Sequence, residues 1–211
     1  MILLNVEYLS YNEITDVAYN FSASHKIEDK IPVPIEEVIE FDLNIDIVPI
    51  PSLQRDFDIE GFSSSDFSCI FVDEYVYKER EYRYRFTLAH ELGHFALHKN
   101  LFEQYKFESV EDWKAFVSQV DQRDYDKFEF QGYAFAGLFI FPPEHLRRLF
   151  WDALNEILPD IEQAKSRQIK REKYLNYATE SIARTLVPIF KASTGAITRR
   201  IARDGLENEI P

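Results

Sequence analysis

The chain contains the pattern His90-Glu91-Leu92-Gly93-His94 inside a segment whose spacing predicts a helix over residues 85–99. Because an α-helix turns about 100° per residue, two histidines four positions apart lie on one face and can direct both imidazoles at a single metal ion. Glu91 lies beside that ion without having to bind it, so its carboxylate can take a proton from a water that the metal activates. This arrangement is typical of zinc hydrolases, and it requires a helix that is fixed firmly within the fold.

The neighbours of this HExxH motif predict that its helix is buried. Apolar side chains give the helix a wide apolar surface, which would bury it and fix the direction of both imidazoles. The alternative, in which the histidines and Glu91 simply face solvent, does not account for that surface. The apolar residues are Phe86, Leu88, Ala89, Leu92, Phe95 and Ala96.

Cysteine usage limits what else can hold a metal. Cys69 is the single cysteine in 211 residues, so neither an intrachain disulfide nor a thiolate zinc site is possible, and any zinc must be held by histidine and carboxylate. One cysteine also suits the reducing cytoplasm. No apolar run approaches the roughly 20 residues of a membrane span, and the first residues lack a basic region and a cleavage site. We therefore expect a cytoplasmic protein that is neither exported nor bound to a membrane.

Charge is distributed unevenly along the chain. Up to Glu144 there are 12 Lys and Arg against 28 Asp and Glu, a net charge of −16, whereas from His145 onward there are 12 against 9, a net charge of +3. A large acidic body argues against direct nucleic-acid binding, because such binding depends on neutralising phosphates.

Hydrophobic spacing and backbone breakers predict an α+β fold, with a small β-sheet packed against a mainly helical body. Strands are expected over 43–48, ended by Pro49 and Pro51, and over 68–72, with Ser63-Ser64-Ser65 as a loop between them. The stretch from 102 to 127 is placed only loosely. Helices are predicted within residues 1–30, after Pro34, over 85–99, 128–141, 145–151, 161–179 and 181–203, with Gly205 as a terminator.

A catalytic zinc site usually has three protein ligands, so two histidines leave it one short. His98 continues the spacing, but eight residues along a helix rotate it about 80° and displace it about 12 Å from His90. That distance excludes a bond to the same ion and makes His98 a supporting or helix-end residue. Glu129 is a candidate, because a helix there could place its carboxylate opposite the imidazoles. On spacing alone, five other carboxylates compete: Glu103, Glu108, Glu111, Asp124 and Asp126.

The run from Arg85 to His98, RFTLAHELGHFALH, resembles the signature of the ImmA/IrrE family of zinc metallo-endopeptidases. Three further segments resemble parts of that family: 135–142 its FA-x-x-LLMP segment, 31–36 its lead-in helix, and 182–206 its closing helix. The resemblance covers most of the chain from about residue 30 onward, and the first motif is highly specific. It implies a zincin-like metallopeptidase domain over 31–211, with the sheet and HExxH helix up to about 144, a helical subregion over 145–211, and residues 1–30 as a helical extension.

In that family the third ligand is the glutamate of an E-x-x-A-[DN] helix just before the FA pair. Glu129 to Tyr133 occupies that place, so the resemblance implies one Zn²⁺ per chain, bound by His90, His94 and Glu129, with Glu91 as the catalytic base. Gly132 and Tyr133 depart from the family pattern, since they replace a helix-favouring alanine and a residue that supports a ligand. These departures predict weaker metal binding or activity. Four side chains are candidates for stabilising the oxyanion or supporting a ligand: His98, Tyr125, Tyr133 and His145.

The resemblance also implies a narrowly specific cytoplasmic peptidase that cuts a helix-turn-helix transcriptional repressor and so releases stress, phage or mobile-element genes. The −16 body is consistent with a basic DNA-binding protein as substrate. An alternative hypothesis, favoured by the departures at 132 and 133, is a catalytically weak or inactive interaction module, such as an antirepressor or a toxin–antitoxin partner. A purely structural zinc is the third hypothesis, although Glu91 beside the ligands is more than such a site requires.

Overall fold

The computed structural model of the chain describes residues 4–102, 104–107 and 109–211. Their contacts divide the chain into two compact units, one that ends at Phe139 and one that runs from Ile140 to Pro211. The predicted α+β class is confirmed, because helices predominate and a single small sheet is present in the described residues. Within these ranges no helix combines the length and the apolar character needed to cross a membrane. The domain boundaries predicted after residues 30 and 144 stay a prediction.

The strands are short and lie early in the chain, whereas the rest of the regular secondary structure is helical. The strands are β1 Asp46–Ile50, β2 Gly61–Ser63 and β3 Cys69–Asp73. The helices are α1 Tyr11–Ser24, α2 Ile35–Glu37 continued by π-helical Val38–Asp42, α3 Leu53–Phe57, α4 Glu74–Glu79, α5 Glu81–Phe102, α6 Val110–Gln119, α7 Gln122–Ile140, α8 Pro143–Ser166, α9 Arg171–Phe190, α10 Thr194–Arg203 and a final 3₁₀ turn Leu206–Glu209.

The sheet has the strand order β1-β3-β2, with β3 in the centre. β1 pairs with β3 in parallel, and β2 pairs with β3 antiparallel. The prediction that Pro49 ends the first strand is wrong, because β1 runs through Pro49 to Ile50, and the strand ends directly before the other predicted terminator, Pro51. Proline is tolerated there because β1 is an edge strand, where a missing backbone donor need not break a ladder hydrogen bond. β2 was not predicted, since only its last residue, Ser63, belonged to the predicted loop, and its short length gives no alternation that would reveal it.

Helix α5 forms the centre of the first unit and carries the HExxH motif. Its middle turns are almost entirely buried, and Leu88, Ala89 and Leu92 are each fully inaccessible to solvent. β2 and β3 pack against it, as do α1, α2 and α4. Because neighbours cover it on several sides, α5 is buried around most of the circumference of its middle turns and cannot rotate without exposing buried surface. The helix is longer at both ends than the predicted 85–99.

Helix α1 packs onto the same core from the N-terminal side. Ser10 and Glu13 begin it with a reciprocal capping box, in which each side chain accepts a hydrogen bond from the other residue's backbone N–H. The ring of Phe21 lies edge-on to Phe135 and Phe139 of α7, with centroids 5.6 and 5.7 Å apart. Residues 4–9, which we call the N-terminal strap, precede α1 without regular secondary structure.

The segment between α5 and α7 was predicted only loosely, and it contains a helix. Ser109 caps the start of α6, and its hydroxyl accepts a hydrogen bond from the backbone N–H of Asp112 at 3.1 Å. Trp113 on its buried face stacks with Phe62 of β2 at 6.2 Å. α7 then begins at Gln122, earlier than the predicted 128, and places Glu129 in its third turn rather than at its start.

The second unit consists of α8, α9 and α10, in which α9 contacts both neighbours. The predicted helix bounds here are wrong. α8 continues from Pro143 through Pro159 to Ser166. Gln168 follows the end of α8 and Lys191 follows the end of α9, and both adopt left-handed φ values, of 56° and 49°. The predicted terminator Gly205 is correct, with a φ of 69° after α10.

A matched pair of substitutions on α1 tests its role in the core. Ile14 is fully buried, so Ile14→Ala should lower the free energy of unfolding by about 2–4 kcal/mol through lost burial and a cavity. Tyr19 on the same helix is 64% exposed, so Tyr19→Ala should change it by less than about 0.5 kcal/mol. Urea denaturation followed by circular dichroism measures both. Equal losses for the two variants would contradict the packing described for α1.

Candidate metal centre

The motif residues of α5 converge on one buried point. His90, Glu91 and His94 are 9%, 4% and 2% exposed. The Nε2 atoms of the two histidines are 3.0 Å apart, and their rings meet edge to face with centroids separated by 4.5 Å. The four-residue spacing therefore produces the convergence that the helix geometry predicts.

Glu129 of α7 approaches both imidazoles. Its Oε2 lies 3.4 Å from His90 Nε2, and its Oε1 lies 3.9 Å from His94 Nε2. Zinc bonds of about 2.0–2.2 Å in a tetrahedral site place neighbouring ligand atoms about 3.3 Å apart, and the observed separations of 3.0–3.9 Å bracket that value. Burial holds the pKa of His94 well below its ordinary value, so it is neutral, as a metal ligand must be. The three residues therefore fit a metal ion.

The competing carboxylates do not join this group in the described part of the chain. His90, His94 and Glu129 are the cluster whose ligand atoms lie within 4.8 Å of one another. Asp124 instead accepts a hydrogen bond from Lys127 Nζ at 2.8 Å. Asp126 accepts one from Gln122, also at 2.8 Å, and Glu111 lies on the exposed face of α6. Glu103 and Glu108 lie outside the described residues.

Gly132, which departs from the family pattern, lies directly under the two imidazoles. A Cβ at this position would lie 2.9 Å from His90 Cε1 and 3.0 Å from both Cε1 and Nε2 of His94. Gly93 of α5 faces it, and a Cβ there would lie 3.0 Å from the Gly132 carbonyl oxygen. The helices cross closely at this glycine pair, so the absence of a side chain at 132 makes room for the ligands. Sequence reasoning had interpreted this glycine only as a loss of helix propensity.

Glu91 is held by a residue that sequence reasoning missed. Ser63 Oγ of β2 donates a hydrogen bond of 2.7 Å to Glu91 Oε2. Both side chains are buried, and burial raises the pKa of the Glu91 carboxyl above its usual range. A carboxylate with a raised pKa is a better proton acceptor near neutral pH. No local pattern could have revealed this contact, because the two residues are 28 positions apart.

The two tyrosine candidates occupy different sides of the cluster. The Tyr133 ring lies over His90 with centroids 4.3 Å apart, stacks on Phe86, and remains 55% exposed. Burial, and then the charge of Glu129, raises the pKa of Tyr133. Burial and Glu129 also raise the pKa of Tyr125, whose hydroxyl is hydrogen-bonded to Glu129. Both hydroxyls therefore remain protonated and able to donate at neutral pH.

The two histidine candidates belong to different units of the chain. His98 is 2% exposed and contacts His94, with their Nδ1 atoms 2.9 Å apart. Its Nε2 lies 2.8 Å from Gln131 Oε1. Burial lowers the pKa of His98 to about 4. His145 lies in the second unit, in the first turn of α8. Gln131 was not singled out by sequence reasoning, although it lies two residues from Glu129.

A buried HExxH helix beside a small mixed sheet, with a carboxylate from a second helix, defines a metallopeptidase-type domain. The family model for the IrrE N-terminal-like domain, peptidase M78, matches residues 42–201. The chain therefore belongs to this family, and the predicted family is confirmed. The family supports a metallopeptidase-type function and a bound metal ion. No curated protein matches the chain. α1 and the N-terminal strap precede the matched residues.

The glycine under the imidazoles is tested by adding one methyl group. Gly132→Ala should weaken divalent-metal binding about tenfold or more, a loss typical of disturbed ligand support, because the new Cβ displaces both imidazoles. Gly137→Ala on the same helix is the control, since a Cβ there meets nothing within 4 Å. Competition with a chromogenic chelator measures both affinities. Wild-type affinity in Gly132→Ala would show that the close crossing does not shape the site.

Proposed function

We propose that this protein is a zinc-dependent endopeptidase of narrow specificity that cuts a cognate helix-turn-helix transcriptional repressor in the cytoplasm. The observation that carries the proposal is the buried Glu91 carboxylate, fixed by Ser63 beside the His90, His94 and Glu129 cluster. A structural metal site needs no such base. Two imidazole nitrogens and one carboxylate oxygen are a donor set that zinc takes in catalytic sites.

Glu91 acts as the general base and then as the general acid. A bound zinc ion supplies Lewis acidity toward water and toward the scissile carbonyl. Glu91 takes the proton from the attacking water and returns it to the leaving amine, and its raised pKa suits both transfers. The hydrogen bond from Ser63 holds one carboxylate oxygen, so the carboxylate is oriented before the substrate arrives.

The remaining candidates divide into distinct roles. Tyr133 is exposed beside His90, so its protonated hydroxyl is suited to donate a hydrogen bond to the carbonyl oxygen as negative charge develops there. Tyr125 contacts Glu129 and holds that ligand instead. His98 contacts the edge of His94 that points away from the cluster, so it cannot reach the substrate carbonyl.

The charge of the first unit supports the proposed class of substrate. Up to Phe139 the sequence has 12 Lys and Arg against 27 Asp and Glu, a net charge of −15. Such a surface attracts a basic protein and repels nucleic acid. A DNA-binding repressor carries a basic surface patch, which the negative charge of the first unit would attract. We propose no direct nucleic-acid or membrane binding for the chain itself.

Substitution of the base tests the proposal directly. When the chain is co-expressed with the helix-turn-helix repressor encoded in the adjacent gene, the wild type should release a discrete repressor fragment. Glu91→Gln should release none while it keeps its zinc, because the amide cannot accept the proton. Glu111→Gln, a surface change on α6, should cleave normally. Cleavage by Glu91→Gln would refute its role as the base, and no fragment from any variant would favour the interaction module.

The role of Tyr133 is tested by removing its hydroxyl. Tyr133→Phe keeps the ring over His90 and should lower kcat by about 10²–10³-fold, as expected for loss of an oxyanion donor, with little change in KM. Tyr19→Phe on the exposed face of α1 should leave both constants unchanged. A fluorogenic peptide that spans the mapped cleavage site provides the assay. A change confined to KM would assign Tyr133 to substrate binding instead.

A further inference from the structure

A continuous chain of buried hydrogen bonds leads away from the metal ligand His94. His94 Nδ1 lies 2.9 Å from His98 Nδ1, and His98 Nε2 lies 2.8 Å from Gln131 Oε1. Gln131 Nε2 then donates to the backbone carbonyl oxygen of Glu7 at 2.7 Å. His94, His98 and Gln131 are each 2% exposed. These hydrogen bonds therefore run from α5 through three buried side chains to α7, and they end at the backbone of the exposed residue Glu7 in the N-terminal strap.

The end of this chain determines the direction of every hydrogen bond in it. A carbonyl oxygen only accepts, so Gln131 turns its amide nitrogen toward Glu7 and its oxygen toward His98. His98 Nε2 must therefore carry a proton. In a neutral imidazole the other nitrogen is then an acceptor, so the proton between the two histidines belongs to His94 Nδ1. This leaves His94 Nε2 with a free lone pair, and that is the atom that faces His90 and Glu129.

An aromatic ring shields the two histidines of this series from water. The Phe128 ring stacks on the His94 imidazole with centroids 3.9 Å apart, and it lies 4.5 Å from that of His98. Phe128 is itself 1% exposed. A donor left without its partner here would be buried and unsatisfied, which is costly in a protein interior.

The N-terminal strap is tied to α7 at several points beside Gln131. Leu4 and Val6 are 3% and 5% exposed. Asp124 is hydrogen-bonded to the backbone N–H groups of Asn5 and Leu4, and Lys127 Nζ donates to the Val6 carbonyl oxygen at 3.4 Å. These contacts fix the position of the Glu7 carbonyl. The strap lies outside residues 42–201, so the family match does not account for this arrangement.

We propose that His98 and Gln131 are positioning residues that hold His94 in the tautomer presenting Nε2 to the metal, and that the N-terminal strap completes this relay. The inference rests on the proposed metal site but not on peptidase activity. Hydrogen bonds from partners behind a ligating histidine fix its ring and its tautomer, and their loss weakens metal binding. Here one of those partners is backbone from a segment that precedes the family domain.

The tautomers are measured directly by ¹⁵N-resolved nuclear magnetic resonance of the histidine side chains in the full-length, metal-free protein. We expect the proton of His94 on Nδ1 and that of His98 on Nε2. A proton on His94 Nε2 would overturn the proposal. Because this measurement needs neither zinc nor substrate, it judges the relay even if the chain proves not to be a peptidase.

Zinc affinity tests whether the relay matters to the ligand. Gln131→Met has nearly the same shape but neither amide group, and His98→Leu removes the acceptor for His94. Both should bind zinc about 10–100-fold more weakly than the wild type. Gln122→Met makes the same change on the exposed face of α7 and should bind normally. His98→Asn, which keeps an oxygen near the position of Nδ1, should recover most of the affinity that His98→Leu loses.

The visible spectrum of the Co²⁺ form distinguishes altered ligation from a general loss of structure. We expect it to change in Gln131→Met and His98→Leu and to stay unchanged in Gln122→Met. Wild-type affinity and spectrum in Gln131→Met would overturn the proposal. An equal affinity loss in His98→Asn and His98→Leu would also overturn it, because the ring and not its acceptor would then be what matters.

The part played by the strap has its own test, since coupling between two sites is reciprocal. Zinc should slow hydrogen exchange of the Asn5 and Leu4 amides in the wild type. In Gln131→Met that slowing should be smaller, because the hydrogen bond from Gln131 to Glu7 is lost while the contacts of Asp124 and Lys127 with the strap remain. If zinc does not change the exchange rate of these amides in the wild type, the strap is not part of the relay.

Discussion

The close crossing of α5 and α7 at Gly93 and Gly132 is the constraint on which the metal centre depends. With no side chain on either helix at that point, the two backbones approach until a single Cβ would collide with an imidazole. The first two ligands come from α5 and the third from α7, so this approach sets their separation. The Phe128 ring covers His94 beside the crossing, and burial of the two imidazoles strengthens the electrostatic interactions that they make.

The features that follow from local periodicity could be predicted from the sequence. The HExxH helix and the convergence of His90 and His94 depend only on helix geometry and an apolar surface. Ser63 and Gln131 could not be found in this way, because each acquires its role from a partner distant in sequence. Glu129 lay between these cases, since its spacing left competitors and only the family resemblance selected it.

Element bounds were less predictable where the backbone departs from its usual residue preferences. Gln168 and Lys191 end helices in the left-handed conformation, although neither residue type favours it, so nothing in the pattern marked those breaks. Pro49 and Pro159 are residues that usually end a strand or a helix, yet neither ends its element here. An edge strand accommodates the first, and α8 continues past the second. In each case tertiary contacts override the local preference, which a single sequence does not reveal.

The packing of Phe21 against Phe135 and Phe139 has a consequence for how the folding unit is delimited. A fragment trimmed to the family boundary at residue 42 would keep every proposed ligand yet lose α1, leaving the two α7 rings to water. The family match thus marks where the sequence is shared, while part of the core that supports the site lies upstream of it. Relatives with other N-terminal segments would have to cover the same apolar surface by different means.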